Sequence, residues 1–161
     1  MKTIHVFGDS HASSIHSHWG YIRIPNIIIK CNHLPEKLMY TFGRLGTNLL
    51  NIKNHGVKEN DIVIFCFGEI DCRNHVHKHI TIEKTYKIVI EEIANSYFEA
   101  IKNNVKHYNS VKTCIFNVIP PTRCFNVSAG HPYPFLGTDK ERKLYYTYMN
   151  EKLKKLCQKN N

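Results

Sequence analysis

A serine attacks an ester carbonyl only where its proton can leave and where the resulting oxyanion is steadied. Ser10, in "VFGDSHASS" (residues 6–14), has a setting suited to that work. An apolar run ends in Gly8-Asp9-Ser10 and continues through small residues. The bland reading is a turn, because Gly, Asp and Ser are all turn formers. Asp9 then merely caps the helix that follows. The chemical reading holds Ser10 at the C-terminal edge of a parallel sheet, beside the amide donors of a helix start.

Other reactive side chains fall in two further stretches. "FCFGEIDCRN" (residues 65–74) places Gly68, Glu69, Asp71, Arg73 and Asn74 after a second apolar run. Asp71 is expected to shape the site by accepting hydrogen bonds from backbone amides. Arg73 stands four residues from Glu69, a spacing that allows an ion pair. "AGHPYP" places His131 in a loop rich in Gly and Pro, and it is the internal candidate for a general base. His11 adjoins Ser10, but neighbours on a helix do not face each other. "HVHKH" (residues 75–79) could bring two or three imidazoles to one face. Zinc asks for three or four ligands with outer support, so the expectation is an exposed polar loop, with no metal and no other cofactor.

These residues need elements to position them. "TIHVF" (3–7) reads as a buried strand, and 11–19 as the helix after it. "IRIPNIII" (22–29) is a strand that Pro25 confines to an edge. "FGRLGTNLLNIKN" (42–54) reads as a glycine turn leading into a helix, with Thr47 as N-cap. "NDIVIFCFG" (60–68) and "KTCIFNVIPPT" (112–122) are buried strands, in which Cys66 and Cys114 are expected to be buried. Residues 81–108 carry apolar side chains at spacings of three and four, among them Ile82, Ile90, Ile93 and Tyr97, and predict a long amphipathic helix. Residues 138–157 predict a last helix, with Thr138 and Glu141 at capping-box spacing.

Alternation of strands and helices predicts a three-layer, flavodoxin-like α/β fold around a parallel sheet. Strands near 3–7, 61–67 and 113–119 are expected to be central. Right-handed crossovers then bring every strand's C-terminal end to one edge, where ligands bind. Gly8-Asp9-Ser10, Gly68 to Asp71 and the loop after Pro120 all meet there.

The same blocks resemble the SGNH (GDSL-type) hydrolase superfamily. "VFGDSHA" is similar to its first block, and the resemblance implies that Ser10 is the nucleophile. "GRLGTN" is similar to the second, which implies that the Gly46 amide serves the oxyanion together with the Ser10 amide. "GEID" stands where the family has Gly-x-Asn-Asp, and Gly68 and Asp71 match. Two positions depart from the pattern. Ile70 replaces the Asn that donates to the oxyanion, and loss of one such donor costs about 10²–10³ in rate. Arg73 or Asn74 could substitute for it from the same loop. The family's Asp-x-x-His has no counterpart, so the chain reads as a single domain over 1–161, shortened at its C-terminus relative to the family.

Composition narrows the function classes. The chain has 161 residues, 42% of them hydrophobic, as in an ordinary globular domain. No run approaches the roughly 20 apolar residues of a membrane span. The start, "MKTIHVFGDS", turns polar too early for a signal peptide. Six cysteines without a CxxC pair read as thiols in a reducing compartment. A soluble intracellular protein is expected. The net charge of +9 has no nucleic-acid motif beside it, so nucleic acid is not the expected partner. The expected activity is that of an esterase or acyltransferase working on a small acyl group, on a small ester or an acylated carbohydrate. The alternative is a degenerate module of the same fold that binds a glycan or other anionic ligand without turnover.

Overall fold

The computed structural model describes residues 2–15, 25–121 and 130–160. Four parallel strands, β1 (Lys2–Gly8), β2 (Ile27–His33), β3 (Ile62–Cys66) and β4 (Lys112–Ile115), lie in the order β2-β1-β3-β4. The register sets Val6 beside Cys31 and Ile64, and Ile64 beside Cys114. Among the described residues five α-helices accompany them: α1 (Ala12–Ile15), α2 (Met39–Leu45), α3 (Val76–Lys78), α4 (Tyr86–Val105) and α5 (Asp139–Lys159). The expected α/β class holds. Among the described residues β1 and β3 are central, whereas β4 lies at the edge, contrary to the expectation for 113–119.

Side chains alternate across the pleat, so each face has its own set. Phe7, Val63 and Phe65 face α2, α4 and α5, and pack with Met39, Phe42, Ile90, Ile93, Tyr97, Tyr145 and Met149. Burying each such side chain contributes about 1.5–3 kcal/mol. On the opposite face Val6 and Cys66 pack with Ala12 of α1, flanked by Ile4, Ile29, Cys31 and Ile64.

Several boundaries differ from expectation for identifiable reasons. β2 runs to His33, past the stretch expected, and the predicted strand 22–29 and helix 11–19 lie partly outside the described residues. α2 starts at Met39 and stops at Leu45, so Gly46 ends a helix where a helix start was expected. Thr47 accordingly caps nothing and sits in a short 3-10 turn. α4 starts at Tyr86, which leaves Ile82 outside the helix and fully exposed. Cys114 is exposed, because β4 is the edge strand. α5 matches its prediction closely: Thr138 accepts from the Glu141 amide, and the Glu141 side chain accepts from the Thr138 amide. Among the described residues no helix is long and apolar enough to cross a membrane.

Candidate active site

The turn after β1 is built on Gly8. A Cβ there would run into the carbonyl oxygen of Cys66 on the neighbouring strand, so only glycine allows β1 and β3 to lie this close. Two amides fix the chain on either side of it. The Asp9 amide donates to Cys66 O at 3.2 Å, and the Leu34 amide donates to Gly8 O at 2.8 Å. Asp9 is thereby carried into the interior, 1% exposed, while Ser10 stands exposed at the surface.

Asp9 organises the turn. Its Oδ1 accepts from the His11 amide at 2.9 Å and lies 3.1 Å from His11 Nδ1. Its backbone carbonyl accepts from the Ala12 amide, and the Ser10 carbonyl accepts from the Ser13 amide. The amides of His11, Ala12 and Ser13 are thus all engaged inside the turn. The hydroxyl of Ser10 has no hydrogen-bond partner among the described residues.

The loop after β3 supplies the opposite wall. Gly68 has φ +119°, a region that favours glycine, and a Cβ would meet Val118 Cγ2 at 2.7 Å and Met39 Cε at 2.8 Å. Glu69 is buried, and its Oε1 lies 3.2 Å from Arg73 Nε. Burial pushes the Glu69 carboxyl up, against the pull of Arg73 and His11. The Asp9 hydrogen bond raises His11 above its ordinary range against the cost of burial, and the charges of Asp9 and Glu69 add to the rise. Asp9, His11 and Glu69 come together with Cys66, Asn117 and Ile119 around a surface depression too shallow to enclose a water molecule.

Asp71 accepts hydrogen bonds from backbone amides, though not from those of the Ser10 turn. Its Oδ2 accepts from the Met39 amide at 2.7 Å and its Oδ1 from the Tyr40 amide at 3.0 Å. It therefore caps α2 from a distant part of the chain. Complete burial nonetheless pushes its carboxyl up to about 7. Ile70 is buried and offers no donor. Arg73 and Asn74 are already engaged. Arg73 pairs with Glu69 and stacks on Phe135 at 5.1 Å, and Asn74 donates to Pro134 O at 3.0 Å. Both side chains clamp the 134–136 segment, with the Leu136 amide donating to Arg73 O.

Gly46 lies elsewhere. Its amide donates to Phe42 O, closing the last turn of α2. It lines a wide groove of about 1300 Å³ together with Val57, Asn103 and Tyr108. Val57 precedes β3 and Tyr108 precedes β4, so this groove lies at the N-terminal edge of the sheet. The geometry therefore removes Gly46 from the neighbourhood of Ser10, because α2 begins near Asp71 and runs away from that edge.

The histidine candidates divide as follows. His131 is exposed, and its Nδ1 accepts from the Tyr133 amide at 3.0 Å. A neutral ring so held carries its proton on Nε2 and presents no basic nitrogen there. In "HVHKH", His75 and His79 stack on each other with ring centres 4.2 Å apart, and His75 stacks on Tyr40 at 4.2 Å. Burial pushes His75 down to about 4. His77 Nδ1 shares a hydrogen bond with the Tyr145 hydroxyl at 3.0 Å. Among the described residues no group of three or more His, Cys, Asp or Glu is placed to hold a metal ion. The His11–Asp9 pair was missed from sequence, although an Asp two residues before a His is an ordinary signal for an Asx turn.

No protein-family model matches this sequence, and no curated protein does. Among solved structures the chain is similar to the crystal structure of an acetyl xylan esterase, AlAXEase. The identity is 13% and the TM-score 0.55, over 96% of this chain and 74% of that one. At that identity the likeness is one of fold: the chain has the parallel α/β architecture on which that esterase is built.

Proposed function

We propose that the chain is a serine-dependent esterase or acyltransferase acting on a small acyl group carried by a carbohydrate. The observation that carries this reading is Ser10 itself. It is exposed on a glycine-dependent turn at the C-terminal edge of the central strand, between buried Asp9 and His11, in a fold shared with an acetyl xylan esterase. Ser10 Oγ forms the bond to the acyl carbon, and the carbonyl electron pair moves onto its oxygen. The serine proton passes to solvent water. Collapse of the intermediate expels the sugar oxygen, which takes up a proton from solvent. Water or a second sugar hydroxyl then accepts the acyl group from Ser10.

No described side chain hydrogen-bonds Ser10 Oγ, so this form should turn over slowly. Initial rates on p-nitrophenyl acetate and on acetylated xylan test the reading, with labelling of Ser10 by an organophosphonate. Ser10→Ala should abolish both turnover and labelling, whereas His131→Ala should leave them intact. Hydrolysis that persists in Ser10→Ala rules out the serine mechanism.

A serine hydroxyl without a hydrogen-bond partner among the described residues, and a Gly46 amide that closes α2, favour a second reading, a glycan-binding module without turnover. That reading expects acetylated xylan oligosaccharides to bind wild type and Ser10→Ala equally, with no release of acetate.

A further inference from the structure

Two depressions meet between α2 and α4. The wide groove that Gly46 lines shares Arg44 and Ser96 with a smaller pocket of about 370 Å³, walled by Tyr40, His75, His79 and Lys84. Together they form one channel beside α2, from Tyr40 at the start of that helix to Lys53 and Lys106 at the N-terminal edge of the sheet. A pocket for a drug-sized ligand holds roughly 300–1,000 Å³, so this channel suits a longer chain. Its walls are cationic without matching anions. Arg44, Lys53 and Lys106 are exposed, and none has a carboxylate partner among the described residues. Arg44 lies over the Tyr40 ring at 5.6 Å, and Lys106 reaches Asn103 Oδ1 at 3.5 Å. The two carboxylates on the walls are already matched, Glu99 by Lys102 at 3.0 Å and Glu92 by Lys84. Side-chain amides stand among the charges. Asn51 Oδ1 accepts from the Lys53 amide, which leaves its NH₂ to donate, and Asn95 has no hydrogen-bond partner among the described residues.

We propose that this channel is a binding site for an acidic oligosaccharide, whose carboxylates pair with Arg44, Lys53 and Lys106 and one of whose sugar rings lies on the stack of Tyr40, His75 and His79. Cations interleaved with amides match a chain that carries both carboxylates and hydroxyls. The imidazoles of "HVHKH" supply the ring platform. His75 stacks on both Tyr40 and His79, with ring centres 4.2 Å away, and His79 is exposed. An aromatic face takes the apolar face of a sugar ring. The three rings are packed on one another rather than spread along the channel, so they do not offer the successive stacking sites that a single-stranded nucleic acid uses. The site goes beyond the esterase reading and does not require Ser10 to be a nucleophile.

Isothermal titration calorimetry tests the proposal, with tetragalacturonate, its fully methyl-esterified counterpart and a single-stranded oligonucleotide as probes, at low and physiological salt. The proteins are wild type, the triple variant Arg44→Gln/Lys53→Gln/Lys106→Gln, His79→Ala, and Lys155→Gln, which removes a charge from α5 outside the channel. Circular dichroism checks folding, and turnover of p-nitrophenyl acetate, too small to span the channel, reads the serine site separately. Tetragalacturonate should bind wild type at one site. Loss of one exposed ion pair costs up to about fivefold, so the triple variant should bind about 10² more weakly, and wild type should prefer tetragalacturonate over its ester by a similar factor. His79→Ala should weaken both saccharides by the same factor, because the platform reads the ring and not the charge. Lys155→Gln should bind as wild type does. Absence of saturable binding, or binding that the triple variant keeps, overturns the proposal and leaves the serine reading standing. An equal loss in Lys155→Gln shows attraction to net charge alone and overturns it too. An oligonucleotide held more tightly than tetragalacturonate at physiological salt overturns the assignment to a glycan.

Discussion

Replacing Asp71 by Asn should change how stability depends on pH, and the structure sets both the sign and the size of the effect. Asp71 is completely buried, and its carboxyl is pushed from 3.8 to about 7 by burial, against the two α2 amides it accepts from. A shift of that size makes ionisation cost about 4 kcal/mol more in the folded protein than in the unfolded chain. The unfolded chain releases the proton near pH 4, while the folded protein keeps it until about pH 7. The stabilisation from the retained proton is therefore fully present below about pH 4 and is lost as pH rises to about 7. Asn does not titrate. At low pH the variant should be weaker by about 1–3 kcal/mol, because its NH₂ faces one of the two amide donors. As pH rises to 8 the difference should move by about 4 kcal/mol in favour of Asn, enough to reverse it. Urea unfolding of both proteins at intervals between pH 4 and 8 measures this, and groups common to both cancel in the difference. A difference that stays constant across the range refutes the reasoning, and would mean that the two amides hold Asp71 ionised throughout.

Gly8→Ala should cost about 3 kcal/mol, the upper end for overpacking, because the obstacle is the Cys66 carbonyl and backbone cannot swing aside. Urea unfolding reads the loss, and a change under 1 kcal/mol would show that β1 and β3 can separate cheaply. Thr138→Ala should cost about 1 kcal/mol by removing the α5 capping box, seen as a lower melting temperature that Thr138→Ser restores. Iodoacetamide under native conditions should modify Cys114 and spare Cys66 and Cys72. The first is exposed on the edge strand, and burial pushes the Cys66 thiol up to about 12 and Cys72 well above its usual range. Alkylated peptides identified by mass spectrometry check this, and rapid loss of the Cys66 thiol would contradict the packing around Ala12.

What the sequence disclosed follows the range of the forces involved. β1, β3, α4 and α5 are legible because each carries a local pattern: an apolar run of strand length, a period near 3.6, or a capping box. The centre of the sheet was harder. Residues 112–119 carry an apolar run of strand length much as residues 61–67 do, and nothing local tells an edge strand from a central one; the order β2-β1-β3-β4 among the described residues settles it. Gly46 shows a different limit. "GRLG" looks like a turn before a helix or a turn after one, and the choice depends on where α2 begins. That start is fixed by Asp71, thirty-two residues from Met39 in sequence, whose carboxylate supplies the cap that Leu38 lacks.

The same long-range logic governs the site. The turn at Ser10 was legible because a tight turn needs small residues in a fixed local order, and those residues are contiguous. Its electrostatics were not, because they come from groups on separate elements. Asp9 is driven inside by the Gly8 contact with β3. Glu69 reaches the same depression from the loop after β3, and Arg73 ties that loop to Phe135 near the start of α5. Adjacency in sequence argued that His11 could not serve Ser10 as its base. In space the ring lies against Asp9 and in the field of Glu69, and both favour its protonated form. An imidazole beside a serine is therefore read correctly only after its other neighbours are known. Here Asp9 and Glu69 favour a proton on His11 against the cost of burial.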